Sequence, residues 1–188
     1  MDIAIVVLAA GESKRFGSFK LLADFCGEPI VVRAVATATS TGLPVYVVLG
    51  HMAGEVRRAL SERGLGVGFI YNLWYREGIS SSLKAAVTAL PRFHGYIIAL
   101  GDMPLVSRRT YEALIDNADR APIVYPTYRG VRGNPVYISR AVLPYIMELR
   151  GDVGVRALMG RIKSAGVEVD DPGVLIDIDE RKDIRPCL

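Results

Sequence analysis

Cysteine, histidine and tryptophan are all scarce in this sequence, and their scarcity closes off several kinds of chemistry. Two cysteines, Cys26 and Cys187, cannot build a disulfide framework and form no CxxC metal pattern. They read as two unpaired thiols in a reducing compartment. His51 and His94 stand at element boundaries, neither with a second histidine at ligand spacing, and read as structural or solvated side chains. No apolar run approaches the ~18 residues of a membrane span. The N-terminus opens directly on a core-like strand without a cationic leader, so the expected location is cytoplasmic. Charge of one sign is also lacking. Twenty-three Lys and Arg against twenty Asp and Glu leave a net +3, too little to argue for nucleic acid or a membrane surface as a partner.

What is present is an ordinary globular composition, 51% hydrophobic over 188 residues, enough for one domain spanning 1–188 with a self-sufficient core. The chain opens on Ile3 to Leu8, an apolar run rich in β-branched residues. It breaks at once into Ala9-Ala10-Gly11-Glu12-Ser13-Lys14-Arg15-Phe16-Gly17-Ser18-Phe19-Lys20. A buried strand delivering a glycine loop with cations is a way to gather backbone N–H groups and positive charge around phosphate. The loop is neither a P-loop, since no Gly-Lys-Ser/Thr follows, nor the G-x-G-x-x-G dinucleotide fingerprint. Arg15 can fork onto phosphate oxygens and Lys20 can act as a point charge. A solvated turn with surface cations is the plainer alternative.

Strand-like and helix-like segments then alternate. Helices are expected over Ile30–Thr41, Glu55–Arg63, Leu83–Leu90 with a serine of Ser80-Ser81-Ser82 as its cap, Ser107–Asn117, Arg140–Leu149 and Val155–Ser164. Strands are expected over Val45–Leu49, Val67–Tyr71, Tyr96–Leu100, Ile123–Tyr125, Pro135–Ile138, Val167–Val169 and Val174–Ile178. Several strands are continuously apolar, as when both faces are buried. The pattern predicts an α/β fold: a Rossmann-like, three-layer α/β/α sandwich with a mostly parallel sheet. Ligands in such sheets sit beyond the carboxyl ends of the strands. Asp102 follows the strand ending at Leu100, and Asp177 and Asp179 flank the last expected strand, pointing to one face. A carboxylate at such a strand end suits Mg²⁺, which takes one or two carboxylates and shares substrate phosphates. A capping aspartate at Asp102 and solvent-facing alternation at 177–179 are the alternatives.

The segments LAAGESKRFGSFKLL, NLWYREGISSSLKAAV, GDMPLV, YRGVRGNPVY, LRGDVGVRALM and DIDERKDI occur in this order along nearly the whole chain. Together they resemble the molybdenum cofactor cytidylyltransferases of the molybdopterin nucleotidyltransferase (MobA-like NTP transferase) family. The glycine loop and YRGVRGNPVY alone would indicate only a nucleotidyltransferase of the sugar-nucleotide pyrophosphorylase type; the serine-rich stretch and Gly-Asp-x-Gly-x-Arg narrow the resemblance. It implies transfer of CMP from CTP to the terminal phosphate of molybdopterin, with Mg²⁺ and release of pyrophosphate. It further implies that Leu8, Ala9, Ala10 and Gly11 contact the nucleotide, Arg15 and Lys20 its triphosphate, and Ser80, Ser81 and Ser82 the base and ribose. Lys20, Arg15 and Asp102 would be catalytic, Asp102 and Asp179 metal ligands, and Asn134, Asp152 and Arg156 the acceptor side. An apo-molybdoenzyme receiving the product is an implied partner.

Ala9-Ala10 matches the cytidylyl version of the loop, guanylyl relatives having glycine at the second position. Phe16 stands where methionine is usual, Asn134 where histidine is usual, and Glu180-Arg181 where Thr-Pro is usual. The alternatives are a guanylyltransferase, another NTP transferase acting on a different phosphorylated small molecule, and a non-catalytic carrier of nucleotide or cofactor.

Overall fold

The structure, a computed structural model, describes residues 2–12, 16 and 19–184. Arg15 and Cys187 lie outside the described residues. The central sheet has the order β10-β7-β9-β6-β1-β4-β5. Its strands are β1 (Ile3–Ala9), β4 (Val45–Leu49), β5 (Gly68–Tyr71), β6 (Gly95–Leu100), β7 (Ile123–Tyr128), β9 (Val136–Ser139) and β10 (Ser164–Glu168). Pairing is parallel except around β9, which runs against both β6 and β7. A short β8 (Val131–Arg132) forms a hairpin with β7, and β2 (Asp24–Phe25) forms another with β3 (Glu28–Pro29). Both hairpins close on two-residue turns with positive φ, Cys26-Gly27 and Arg129-Gly130, where the glycine relieves half the cost.

Alternation along β1 sorts the core into two layers. Ile3, Ile5 and Val7 pack against α1 (Ile30–Thr39), α2 (Ala53–Glu62) and α4 (Arg108–Asp116), through residues such as Val31, Val35, Leu60 and Leu114. Ala4, Val6 and Leu8 face α3 (Ile79–Ala89) and α5 (Leu143–Glu148), through Leu83, Ala86 and Ile146. Helices thus cover both faces of a mostly parallel sheet, as the sequence predicts. Order reverses on either side of β1: β4 and β5 lie one way, β6 and the rest the other, which puts the topological switch between the carboxyl ends of β1 and β6.

Four expectations are corrected. Val155–Ser164 is not an α-helix; a 3₁₀ turn covers Val155–Leu158, with glycines at 154 and 160, and Ser164 already begins β10. Val174–Ile178 is not a strand. Asp171 accepts the Gly173 N–H at 2.9 Å and starts a 3₁₀ turn over Pro172–Leu175, and the chain then crosses the ends of the strands as an irregular segment. No serine caps α3: Gly78 is its N-cap, and the three serines are buried in its first turn. Cys26 is disulfide-bonded, contrary to the expected free thiol.

Candidate functional site

The loop after β1, the loop after β6 and the irregular segment after residue 175 converge at the switch point, and Lys20 sits where they meet. It enters from a 3₁₀ turn over Lys20–Leu22 and is buried, 7% exposed. Its Nζ donates to Asp102 Oδ2 at 2.8 Å and to Asp179 Oδ1 at 3.1 Å. Burial works against the ammonium, but attraction and hydrogen bonds from the two carboxylates outweigh it and hold Lys20 above the ordinary lysine value.

Each carboxylate is placed by backbone. Gly101 N–H donates to Leu8 O at 2.9 Å, docking the Asp102 turn on the end of β1. Ile178 N–H donates to Asp102 O at 2.9 Å, so the segment carrying Asp179 is stitched to the turn carrying Asp102. Ile178 itself is buried with Phe16, Phe25 and Ile30. Beyond it, Asp183 accepts from the Asp179 and Glu180 N–H groups at 3.0 and 2.7 Å. Glu180-Arg181 thereby begins a capped turn that braces Asp179. Asp177 is exposed and is not among the residues lining the cavity beside Lys20, so the paired-carboxylate reading of residues 177 and 179 reduces to Asp179.

A cavity of about 510 Å³ opens beside these groups, lined by Leu8, Ala9, Ala10, Gly11, Lys20, Ser82, Asp102, Asp152 and Asp179 among others. These expected residues are therefore brought together. Ser80 and Ser81 do not line it. Ser81 Oγ donates to Gly78 O at 2.8 Å and accepts from Asn72 Nδ2 at 2.8 Å. Asn72, buried at 4% exposure, also reaches Ser82 Oγ at 3.1 Å and accepts the Trp74 N–H at 2.9 Å. It fastens the 72–78 segment to α3.

That segment contributes residues the sequence reading passed over. Tyr75 and Arg76 line the cavity, and Arg76 Nε donates to Glu12 Oε1 at 3.1 Å across its mouth. His51 packs between Phe19, edge to face at 5.4 Å, and Tyr75, tilted at 6.1 Å, and its backbone N–H donates to Ala10 O at 3.1 Å. It is a packing residue, as expected. His94 lies at the surface 3.8 Å from Asp2.

Asp152 is tied to the same helix as the serines. Its Oδ1 accepts the Ile79 N–H at 3.4 Å, and Gly151 O accepts the Ser80 N–H at 3.2 Å. Asn134 and Arg156 line a separate cavity of about 190 Å³, which shares Leu8, Ile79 and Leu100 with the first. Asn134 is held there by its N–H on Val174 O at 2.9 Å. Gly133 beside it has no room for a side chain, since a Cβ would lie 2.5 Å from that same oxygen.

Two carboxylates from separate segments meet one cation here. Lys20 occupies the position between them, and their hard oxygen donors suit a divalent ion that keeps waters and phosphate oxygens as its other ligands. Among the described residues no third Asp, Glu, His or Cys joins them, so substrate or water must complete any such sphere.

Residues 5–166 match the model of the MobA-like NTP transferase domain. The chain belongs to the MobA-like NTP transferase family. It is 24% identical over 185 residues to the molybdenum cofactor cytidylyltransferase of Escherichia coli K12, covering 96% of this chain and 93% of that one. It is 30% identical over 190 residues to the purine catabolism protein PucB of Bacillus subtilis 168, covering 93% and 90% of the two. The crystal structure of Rv0371c from Mycobacterium tuberculosis H37Rv superimposes with a TM-score of 0.84 at 31% identity, over 97% of this chain and 94% of that one. A manganese complex of Rv0371C superimposes with a TM-score of 0.81 at 29% identity, over 97% and 96%. Membership of this family makes the chain a nucleotidyltransferase. No helix among the described residues is long and apolar enough to cross a membrane.

Proposed function

We propose that residues 1–188 form one nucleotidyltransferase domain that transfers CMP from CTP to the terminal phosphate of molybdopterin and releases pyrophosphate. The observation that carries the reading is the Lys20–Asp102–Asp179 cluster at the switch point, between a 510 Å³ cavity and a smaller neighbour. Two adjoining cavities suit two substrates. A carrier that only binds has no use for a buried lysine facing two carboxylates.

In this reaction an acceptor phosphate oxygen forms a bond to the α-phosphorus of CTP. The bond from that phosphorus to the bridging oxygen of the β-phosphate breaks, and pyrophosphate leaves with the electron pair. The attacking phosphate is already anionic near neutral pH, so the site needs no strong general base. Ala9, Ala10 and Gly11 bring backbone to the nucleotide at the end of β1. Lys20 and Arg15 place positive charge on the β- and γ-phosphates, where leaving-group charge develops. Asp102 and Asp179 would hold Mg²⁺, which supplies charge neutralisation at the α-phosphate and the departing pyrophosphate. Ser82, ordered by Asn72, lies on the base and ribose side. Rate enhancement comes from positioning and electrostatics.

The choice of CTP rests on Ala9-Ala10 and on the similarity to the Escherichia coli cytidylyltransferase along almost the whole chain. Ala10 is packed tightly: a Cβ on Gly50 would lie 2.8 Å from its methyl, so the loop end has no slack there. A second reading, another NTP or another phosphorylated acceptor, draws on the 30% identity to the purine catabolism protein. Pyrophosphate release measured with CTP, GTP, ATP and UTP, purified molybdopterin and Mg²⁺ decides between them. CTP is expected to be turned over fastest. Faster turnover of another nucleotide, or no pterin-dependent release from any, overturns the reading. The product would pass to an apo-molybdoenzyme.

A further inference from the structure

The two edges of the central sheet are built differently. On β10, Val169 N–H donates to Thr127 O at 2.8 Å, so alternation turns the backbone of Gly166 outward. Arg120 donates to that outward Gly166 O at 3.5 Å, and the charged residues Lys163 and Glu168 stand at the two ends of the strand. These are devices that keep an edge from pairing. β5 has none of them. Asn72 N–H donates to Leu49 O at 2.8 Å, so Gly68 and Ile70 turn their N–H and C=O groups to β4, and Phe69 and Tyr71 turn theirs outward. No described residue pairs with those outward groups. Arg57 stands over the Phe69 ring and donates to the Tyr71 hydroxyl at 3.1 Å, contacts to side chains rather than backbone. The open edge continues into apolar surface: Tyr71 is 49% exposed, Leu73 83% and Trp74 68%. No other four consecutive described residues expose three large apolar side chains.

We infer that β5 pairs with itself: two copies of this chain join antiparallel along Gly68–Tyr71, about a two-fold axis at Ile70. The register follows from which backbone groups are free. Phe69 of one copy meets Tyr71 of the other, and each such pair exchanges both of its N–H···O=C bonds. Ile70 meets Ile70 as a non-hydrogen-bonded pair, because its own groups are taken by β4. The same register sets one aromatic ring opposite another on the α2 face, a favourable cross-strand pair, and brings Leu73 beside the half-buried Val67 of the second copy. One strand thus supplies both halves of its own complement, as a two-fold contact requires. Taking roughly 200 Å² for a large side chain, the exposed parts of Tyr71, Leu73 and Trp74 come to on the order of 400 Å² per copy. Doubled, and with the strand backbone added, that approaches the roughly 1,000 Å² at which specific interfaces begin. Leu73 and Trp74 run directly into Tyr75 and Arg76 on the larger cavity, so the contact would brace one of its walls. The inference is independent of which nucleotide or acceptor the site takes.

Sedimentation velocity on the whole chain, from about 1 to about 300 μM, is expected to show a monomer passing reversibly into a dimer. Tyr71→Pro removes an outward N–H and leaves the β4 ladder its bonds, and Leu73→Glu with Trp74→Glu charges a surface that is already exposed. Each is expected to raise the dissociation constant at least about tenfold, with the melting temperature of the dilute double variant unchanged. Ile70→Cys reports the register, since the Cα atoms of a non-hydrogen-bonded antiparallel pair stand about 4.5 Å apart, within disulfide reach. With oxidised glutathione it is expected to give a covalent dimer, and Asp170→Cys, exposed just past β10 at the other edge, is expected to give none. A monomer at every concentration overturns the inference and leaves the edge to an extended segment of a different protein. A dimer that Tyr71→Pro and the double variant leave intact, or equal cross-linking of the two cysteine variants, overturns it by placing the contact elsewhere.

Discussion

Lys20 Nζ lies 2.8 Å from Asp102 Oδ2, with Asp179 Oδ1 at 3.1 Å on its other side. Without nucleotide, the lysine fills the place between the two carboxylates that the proposed Mg²⁺ would take. A metal binding alone must displace a buried ammonium, whereas a triphosphate gives that ammonium another anion to follow. Lys20→Met is therefore expected to tighten manganese binding in the absence of nucleotide by about tenfold, read by paramagnetic resonance of free Mn²⁺. The same variant should lose about 100-fold in kcat. Asp102→Asn should weaken manganese binding whether or not CTP is present. Weaker binary manganese binding in Lys20→Met would show that the lysine does not compete for the site.

Asp171 is a buried carboxylate just ahead of the DIDERKDI segment, outside every motif the sequence singles out. It accepts from Ser107 N–H at 2.8 Å, Thr110 Oγ1 at 2.6 Å and Gly173 N–H at 2.9 Å. It thus fastens the start of α4 to the turn from which the Asp179 segment departs. Gly173 is packed so closely that a Cβ there would overlap Leu105 O. Asp171→Ala strands three donors and is expected to cost about 1–3 kcal/mol in chemical denaturation. Manganese binding should weaken as well, because Asp179 loses its anchor. Asp171→Asn, which keeps the acceptor oxygen for Gly173, should recover part of both. Loss of stability with unchanged manganese binding would confine Asp171 to the α4 start.

Residues whose neighbours in sequence decide their fate were legible. Ile3 to Leu8, Val45 to Leu49 and Tyr96 to Leu100 are apolar enough to be strands wherever they lie, and they are β1, β4 and β6. The loops leaving β1 and β6 could be found because ligand sites in such sheets follow strand ends. The failures have a common cause. Val174–Ile178 has β-branched alternation, but Asp171 and Pro172 wind its beginning and the sheet already ends at β10. Ser81 looks like a ligand contact until Asn72 and Gly78 claim its hydroxyl. Asn72 gains its role only from the start of α3 folded onto it, which spacing along the sequence does not encode.

Glu168, at the end of β10, grips the hairpin that carries Arg132. Its carboxylate accepts from Thr127 Oγ1 at 2.5 Å and from Arg129 N–H at 2.6 Å, where Arg129 has φ 51°. The Thr127 hydrogen bond, joined by the turn's N–H groups, holds its pKa below the ordinary glutamate value. A depressed carboxylate contributes its stabilisation in full above the unfolded value, about pH 4.3, and loses it as pH falls through the folded one. Amide exchange at Val131 and Arg132 should therefore accelerate, beyond its intrinsic pH dependence, as pH drops below about 4. Glu168→Gln should show the faster exchange at neutral pH and no further acid effect. Acid acceleration persisting in Glu168→Gln would assign it to another group.

Gly78 joins the two halves of the proposed site. As the N-cap of α3 it has φ 93° and ψ −179°, a region essentially reserved for glycine. A Cβ on it would overlap the Gly151 carbonyl and lie 2.6 Å from the Asp152 nitrogen. Backbone strain and steric conflict therefore act together in Gly78→Ala, with an expected cost of about 2 kcal/mol or more in thermal or denaturant unfolding. The chain can relieve the conflict by moving the 151–154 loop off α3, which releases the Ser80 N–H and the Ile79 N–H from Gly151 and Asp152. That loop leads into Val155 and Arg156 on the smaller cavity. Gly78→Ala should accordingly raise the KM for acceptor more than the KM for CTP, even at a temperature where the variant is fully folded. Gly151→Ala, which meets open space but also has positive φ at 67°, should destabilise by backbone strain alone. If both variants lose stability and only Gly78→Ala changes acceptor KM, the packing of Gly78 on the loop sets the acceptor pocket; equal KM effects in the two would place the cause in the loop's own conformation.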